Sequence, residues 1–323
     1  MKLPSFKSKF FIPVAILLSS IILTLSFSYY TLSMFTYSSD RVFYGKKQSD
    51  LAAEIRQELL RRQDIERVNF KSQDGFDLAG FFIKREKPEA NLVLCHGYKG
   101  SKEFMYGYID MFPNYNIFLF DFRAHGESSG SVISLGCHEY KDTIAAAHYI
   151  QEKAKSLDGK KLPLILIGIS MGGASSLKAT EMDPTICDAL IVDSTFAELK
   201  TMFTRGFSLK TGLPYYPFLP VIQTMFHHIA KCDMTTMNPV DSVKKIHQPI
   251  FFIHSCNDSL IRPENSLQLY TAARHERTKL WIGPKCRHGW LHTYFTEIYK
   301  QKVNKFLHDT VFSTSLSQEK ILA

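Results

Sequence analysis

One serine in this chain stands where a nucleophile would be built. Leu164-Ile165-Leu166-Ile167 reads as a short buried strand; it runs into Gly168-Ile169-Ser170-Met171-Gly172-Gly173, and a helix rich in Ala, Ser and Leu follows. A serine on so tight a strand-to-helix turn needs small flanking residues, and the turn lifts its Oγ clear of the strand. The helix start also aims free backbone N–H groups at the same point, where they stabilise developing negative charge. The competing reading of this G-x-S-x-G run is a glycine-rich turn used only for packing.

A serine hydroxyl is a poor nucleophile without a base, and the base needs a carboxylate to orient it. Phe251-Phe252-Ile253-His254 reads as a strand that leads to Ser255-Cys256-Asn257-Asp258, and another strand ending near Ile282 leads to Arg287-His288-Gly289-Trp290. Asp258 and His288 thus lie beyond the carboxyl ends of strands, where ligand-facing loops gather in open α/β sheets. Asp193, after the run Ala189 to Val192, is the rival acid, and His292, inside the next helix, the rival base. Upstream, Leu92-Val93-Leu94-Cys95 precedes His96-Gly97-Tyr98-Lys99-Gly100. A backbone N–H there, assigned to Tyr98, completes an oxyanion hole with that of Met171. His96 reads as bracing its turn, and Asp121-Phe122-Arg123-Ala124-His125-Gly126-Glu127-Ser128 as shaping a loop.

These residues need a scaffold that alternates strands and helices. Strands are expected near Val68 to Lys71, Leu78 to Ile83, Leu92 to Cys95, Ile117 to Phe120, Leu164 to Gly168, Ala189 to Val192, Pro249 to His254 and Lys279 to Ile282. Helices are expected near Lys102 to Met111, His138 to Ser156, Met171 to Met182, Glu264 to Arg274 and Leu291 to His308. Asp74-Gly75 joins the first two strands as a hairpin; the alternation that follows is the sign of a mainly parallel sheet covered by helices. Residues 195–246 break the rhythm and read as a cap, with Phe203, Phe207, Tyr215, Tyr216, Phe218 and Phe226 making it aromatic. An apolar acyl or aryl group fits such a cap better than a sugar or peptide; on the alternative reading the same aromatics pack the cap against the domain.

The runs HGYKGSKE, DFRAHGES, GISMGG, PIFFIHSCNDSLIRPENS and RHGW, in this order, resemble the serine α/β-hydrolases with a small helical cap, over about Val68 to His308. The resemblance implies the α/β-hydrolase fold, with eight mainly parallel strands flanked by helices and a cap between strands six and seven. It also implies a Ser170/His288/Asp258 triad and a Tyr98/Met171 oxyanion hole. Cys256 and Cys286 each precede a proposed triad member by two positions; they are a candidate disulfide or, on the alternative reading, two unpaired thiols.

The amino-terminal region differs in kind. From Phe10 to Phe35 there is no acid or base other than tyrosine hydroxyls, and about 20 apolar residues suffice to cross a bilayer. Residues 1–39 therefore read as a signal anchor, with Tyr29, Tyr30 and Phe35 suited to the membrane interface. Lys2, Lys7 and Lys9 favour a cytoplasmic start and a catalytic part outside, against the pull of Arg41, Lys46 and Lys47. A cleaved signal peptide or a buried helix is the alternative. Residues 40–66, with Leu51, Ile55 and Leu59 on one stripe and Ser49 as N-cap, read as an amphipathic linker; 67–308 form the hydrolase domain and 309–323 a polar tail.

The chain has 323 residues and 45% hydrophobic residues, enough for a large core, and its 6 Cys are too few for a disulfide scaffold. Its 39 Lys and Arg against 31 Asp and Glu give +8, but no basic block or motif points to nucleic acid. No metal or cofactor signature is present. The expectation is a membrane-anchored serine hydrolase acting on an ester or thioester. Peptide or amide hydrolysis, acyl transfer to another acceptor, and a catalytically silent membrane module are the alternatives.

Overall fold

The computed structural model describes residues 6–37, 46–154, 159 and 161–313. In chain order the elements are α1 (Phe6–Thr36), α2 (Lys46–Arg61), β1 (Ile65–Lys71), β2 (Asp77–Ile83), β3 (Ala90–Cys95), α3 (Gly107–Met111), β4 (Tyr115–Phe120), α4 (Tyr140–Lys153), β5 (Leu164–Ile169) and α5 (Met171–Met182). They continue with β6 (Ala189–Asp193), α6 (Leu199–Thr211), α7 (Phe218–Ala230), α8 (Pro239–Val243), β7 (Ile250–Ser255), α9 (Glu264–Ala272), β8 (Lys279–Gly283), α10 (Leu291–Tyr294) and α11 (Thr296–Leu307).

The eight strands form one sheet in the order β1-β2-β4-β3-β5-β6-β7-β8. β2 is antiparallel to both β1 and β4, and every other pair is parallel. Because side chains alternate across a strand, β5 sends Leu164 and Leu166 to one face and Ile165, Ile167 and Ile169 to the other. The first face is covered by α4, α5, α8, α9 and the α6–α7 insertion, the second by α2, α3, α10 and α11. Strands buried on both faces explain the near-continuous apolar runs in the sequence.

Several expectations are corrected at the edges. The helix expected over Lys102 to Met111 is a 3-10 turn (Lys102–Met105) followed by α3, and the last one breaks at Phe295 into α10 and α11. Ser49 lies inside α2, which begins at Lys46, so it is not the cap. Ile55 and Leu59 of α2 are buried, and Arg56 binds Glu103 at 2.7 Å, so this helix is docked on the domain. The polar tail begins later than Asp309: a π-helical turn spans His308–Phe312, with Thr310 buried and Phe312 against Tyr115. The rest of that tail, 314–323, and most of the span between α1 and α2 lie outside the described residues.

The insertion between β6 and β7 carries α6, α7 and α8. Its base is fastened by a disulfide between Cys137, before α4, and Cys232, after α7, beside a hydrogen bond from His138 Nε2 to the Ala230 carbonyl of 2.9 Å. Nothing in the sequence pattern pointed to this pair. Cys256 and Cys286, the pair considered instead, are both free.

From Pro13 to Thr36, 24 residues of α1 are long and apolar enough to cross a membrane. Only its early part stands free, with Val14, Ile16, Leu17, Leu18, Ile22 and Leu23 exposed. Farther along, Ser28, Thr31, Leu32 and Thr36 are buried against the domain. Phe27 packs on Phe207 and Phe218, and Phe35 on Phe203 and Tyr98. Phe35 therefore belongs to the domain and not to an interfacial belt, whereas Tyr29 and Tyr30 remain exposed.

Candidate active site

Ser170 sits between β5 and α5 with φ 55° and ψ −117°, outside the favoured regions for a non-glycine residue. The surrounding glycines make that geometry possible. A Cβ on Gly172 would lie 2.1 Å from the Cys95 carbonyl oxygen, and one on Gly168 2.5 Å from that of Gly172. The neighbouring strand completes the hold, since the Ser170 N–H donates to the Asp193 carbonyl at 2.8 Å.

The structure brings Ser170, His288 and Asp258 into one hydrogen-bonded chain. Ser170 Oγ donates to His288 Nε2 at 2.9 Å, and His288 Nδ1 donates to Asp258 Oδ2 at 2.6 Å. Asp258 Oδ1 accepts the N–H groups of Leu260 and Ile261 at 2.9 and 3.0 Å, so both of its oxygens are occupied. Burial opposes ionisation of this carboxyl, but hydrogen bonds from His254 and His288 and the charge of His288 outweigh it and hold its pKa well below the usual range.

His254 is a site residue that the sequence reading passed over. It ends β7, fully buried, and its Nε2 lies 3.3 Å from Asp258 Oδ2 while donating to the Ile261 carbonyl at 2.8 Å. Ser266 Oγ donates to its Nδ1 at 2.7 Å. The spacing of four residues between His254 and Asp258, across the end of a strand, was the available signal.

The acid and base loops are tied together, though not by the two cysteines. Ser255 Oγ contacts the Pro284 and Cys286 carbonyls at 3.1 and 3.0 Å and accepts the Cys286 N–H at 2.9 Å. The Cys256 N–H adds a bond to the Gly283 carbonyl of 3.1 Å. A serine hydroxyl thus does the stapling.

Both rivals are placed elsewhere. Asp193 is buried at the end of β6 and accepts from Ser194 Oγ at 2.8 Å rather than from His288. Burial pushes its pKa up to about 6, with nearby Asp258 adding to the rise and Ser194, His254 and His288 opposing it. The His292 ring lies against Tyr108, centroids 4.8 Å apart, and burial lowers its pKa to about 4.

The loop after β3 passes over Ser170: a Cβ on Gly97 would come within 3.5 Å of Ser170 Cβ. Met171 opens α5, so its N–H lacks an intrahelical acceptor. His96 is buried, donating from Nδ1 to the Gly97 carbonyl at 2.8 Å and accepting the Phe122 N–H at Nε2, 3.1 Å away. His125 Nε2 accepts the Lys99 N–H at 3.1 Å, and the buried Lys102 ammonium reaches Asp121 at 2.6 Å and Glu127 at 2.8 Å. These contacts lock the Asp121–Ser128 segment under the Tyr98 loop. Both histidines are bracing groups in this arrangement.

Of the cap aromatics, Phe203, Phe207 and Phe226 are buried, packing the insertion on itself and on α1, while Tyr215 and Tyr216 face outward. Ser170 itself is 9% exposed.

The family model described as "Serine aminopeptidase, S33" matches residues 86–231. The esterase Pf2001 of Pyrococcus furiosus shares the architecture with a TM-score of 0.65 at 22% identity, covering 85% of this chain and 98% of the esterase. The chain has the α/β-hydrolase fold. Among curated relatives, YqkD of Bacillus subtilis is 25% identical over 248 residues, covering 74% of this chain and 78% of YqkD. The membrane protein YNL320W of Saccharomyces cerevisiae is 23% identical over 228 residues, covering 69% of this chain and 73% of its own.

Proposed function

We propose that this α/β-hydrolase is a membrane-anchored serine esterase or thioesterase working through an acyl-enzyme on Ser170. The observation that carries the proposal is the unbroken chain from Ser170 Oγ through His288 to Asp258, at 2.9 and 2.6 Å. Ser170 Oγ attacks the substrate carbonyl while its proton passes to His288 Nε2. The Tyr98 and Met171 N–H groups hold the oxyanion. The bond to the alcohol or thiol breaks, and the leaving group takes the proton from His288. Water then attacks the acyl-enzyme, gives a proton to His288 and releases the acid, restoring Ser170. Asp258 stays ionised throughout and fixes the tautomer of His288.

Apolar acyl or aryl substrates suit the half-buried rings of Phe35 and Tyr98, which stack at the loop that passes over Ser170. The esterase named among the structural neighbours is in keeping with this chemistry. Peptide hydrolysis is the second reading, and the family description as a serine aminopeptidase is what favours it.

Membrane attachment through α1 draws support from its exposed apolar half and from the relative named as a membrane protein. The uncharged stretch from Phe10 to Phe27 is about 27 Å long at the helical rise, close to the thickness of a hydrocarbon layer. The Cys137–Cys232 disulfide supports placing the catalytic part in an oxidising, non-cytoplasmic compartment.

A fluorophosphonate probe tests the nucleophile. The native chain should be labelled and Ser170→Ala should not; a folded native chain that resists labelling would overturn the hydrolase reading. Ester, thioester and peptide series of matched side chains then separate the two substrate readings.

A further inference from the structure

Helix C-termini leave carbonyls without intrahelical donors. In α1 those carbonyls are taken by the loop that carries the proposed oxyanion donor. Tyr98 Oη donates to the Met34 and Phe35 carbonyls at 3.2 and 3.0 Å, and Lys99 Nζ donates to the Met34 carbonyl at 2.8 Å. The Tyr98 and Phe35 rings stack, centroids 6.4 Å apart, and Phe35 also meets Phe203 of α6 at 4.9 Å. The Ile133 N–H holds the Thr36 carbonyl at 2.6 Å, fixing the helix end to the body of the domain. An ammonium at a helix C-terminus is favoured by the helix dipole as well as by its hydrogen bond.

The loop is gripped from the other side too. Lys99 has φ 54°, in the left-handed region, and its N–H is bound by His125 Nε2 at 3.1 Å. His96, whose ring bonds the adjacent Gly97 carbonyl, abuts His125 with centroids 5.0 Å apart. The Gly97–Tyr98 peptide, which carries the proposed donor N–H, and the Tyr98–Lys99 peptide after it are therefore clamped between the buried histidines and the last turn of α1. Oxyanion stabilisation depends on donors already aimed at the charge, and an error of about 1 Å costs roughly 100-fold.

We infer that the last turn of α1 is a positioning element of the oxyanion hole, acting through the Tyr98 hydroxyl and the Lys99 ammonium, so that turnover requires the amino-terminal helix to be docked. This rests on the proposed Ser170 chemistry but adds to it: the helix serves the reaction as well as attachment. Tyr98 thereby has two separable parts, a backbone N–H that touches the oxyanion and a side chain that aims it.

The experiment uses the full-length chain in detergent micelles with a chromogenic acyl ester. Tyr98→Phe keeps the N–H and the ring but removes both hydroxyl bonds; Lys99→Met removes the ammonium and keeps the stem. Each should lower kcat about 10-fold or more with KM changed less than about 2-fold, because the loss falls on the transition state. The thermal midpoint should stay near native, which a general structural role would not allow. Adding the two changes should cost more than either alone. Native kcat in folded Tyr98→Phe and Lys99→Met would overturn the inference. If Tyr98→Phe does not fold, Lys99→Met decides alone. Fluorophosphonate labelling of the native chain separates the cases: no labelling sinks the hydrolase reading itself, whereas labelling with unimpaired variants sinks only the clamp.

Discussion

The floor and the roof of the candidate site are built on different principles. The floor is the row of loops at the carboxyl ends of β5, β6, β7 and β8, where backbone and side-chain bonds fix Ser170, Asp258 and His288 against adjoining strands. The roof is α1, α6, α7 and the Tyr98 loop, held by aromatic packing and bonds to a helix end. Parts of the floor are positioned by a sheet with little freedom to shift. Parts of the roof are held by aromatic packing and by side-chain bonds to the end of one helix. On the proposed mechanism, proton transfer belongs to the floor, and access and oxyanion alignment to the roof.

The sharpest test of the floor is its acid. Asp258→Asn preserves volume but removes the charge that fixes the His288 tautomer, so kcat should fall about 10⁴-fold, as loss of the triad acid does elsewhere. Esterase kinetics on variant and native protein would show it. A loss below about 10-fold would mean that the observed bond of 2.6 Å between Asp258 and His288 is not the one that matters.

The roof has one covalent strap, and cutting it probes how independent the two regions are. Cys137 and Cys232 are 95 residues apart, so losing their bridge should cost up to about 4.7 kcal/mol through the wider unfolded ensemble. Denaturant unfolding of Cys137→Ser should show that loss, together with a fall in kcat/KM smaller than for Asp258→Asn. An unchanged midpoint would make the strap dispensable to the roof.

This same division explains what could be read in the sequence. The central strands β3 to β7 fall where apolar runs end in turn residues, because a strand buried on both faces writes its burial directly into composition, whereas the edge strands β1 and β8 are only partly buried. The Ser170, Asp258 and His288 loops were legible because each follows such a run. The roof was much less so. Its aromatics Phe203, Phe207 and Phe226 read as a substrate-facing surface but are buried, since periodicity records that a side chain is apolar and not what it meets. The seating of Phe35 on Tyr98 joins residues 63 positions apart, which leaves no local trace. The Cys137–Cys232 bridge is equally non-local, and closeness of Cys256 and Cys286 to the triad suggested the wrong pair.

The smallest expected effect contrasts two acids within the floor. Asp258 and Asp193 follow adjacent parallel strands and are both buried, yet their carboxyls are treated oppositely. Asp258 is met by two histidines and two backbone N–H groups; Asp193 Oδ2 has no hydrogen-bond partner among the described residues. With its folded pKa raised to about 6, Asp193 holds its proton more tightly folded than unfolded. That contribution is full below the unfolded value of roughly 3.9 and is lost as pH rises through about 6. Asp193→Asn removes the titration, so relative to native it should gain on the order of 2 kcal/mol between pH 4 and pH 8. Unfolding curves at the two pH values measure this, and ester hydrolysis should remain within about 3-fold of native because Asp193 lies outside the proton path. Parallel stability profiles would show that the carboxylate is solvated after all. A collapse of activity in Asp193→Asn to the level of Asp258→Asn would instead make the two acids a single functional unit and erase the distinction between them.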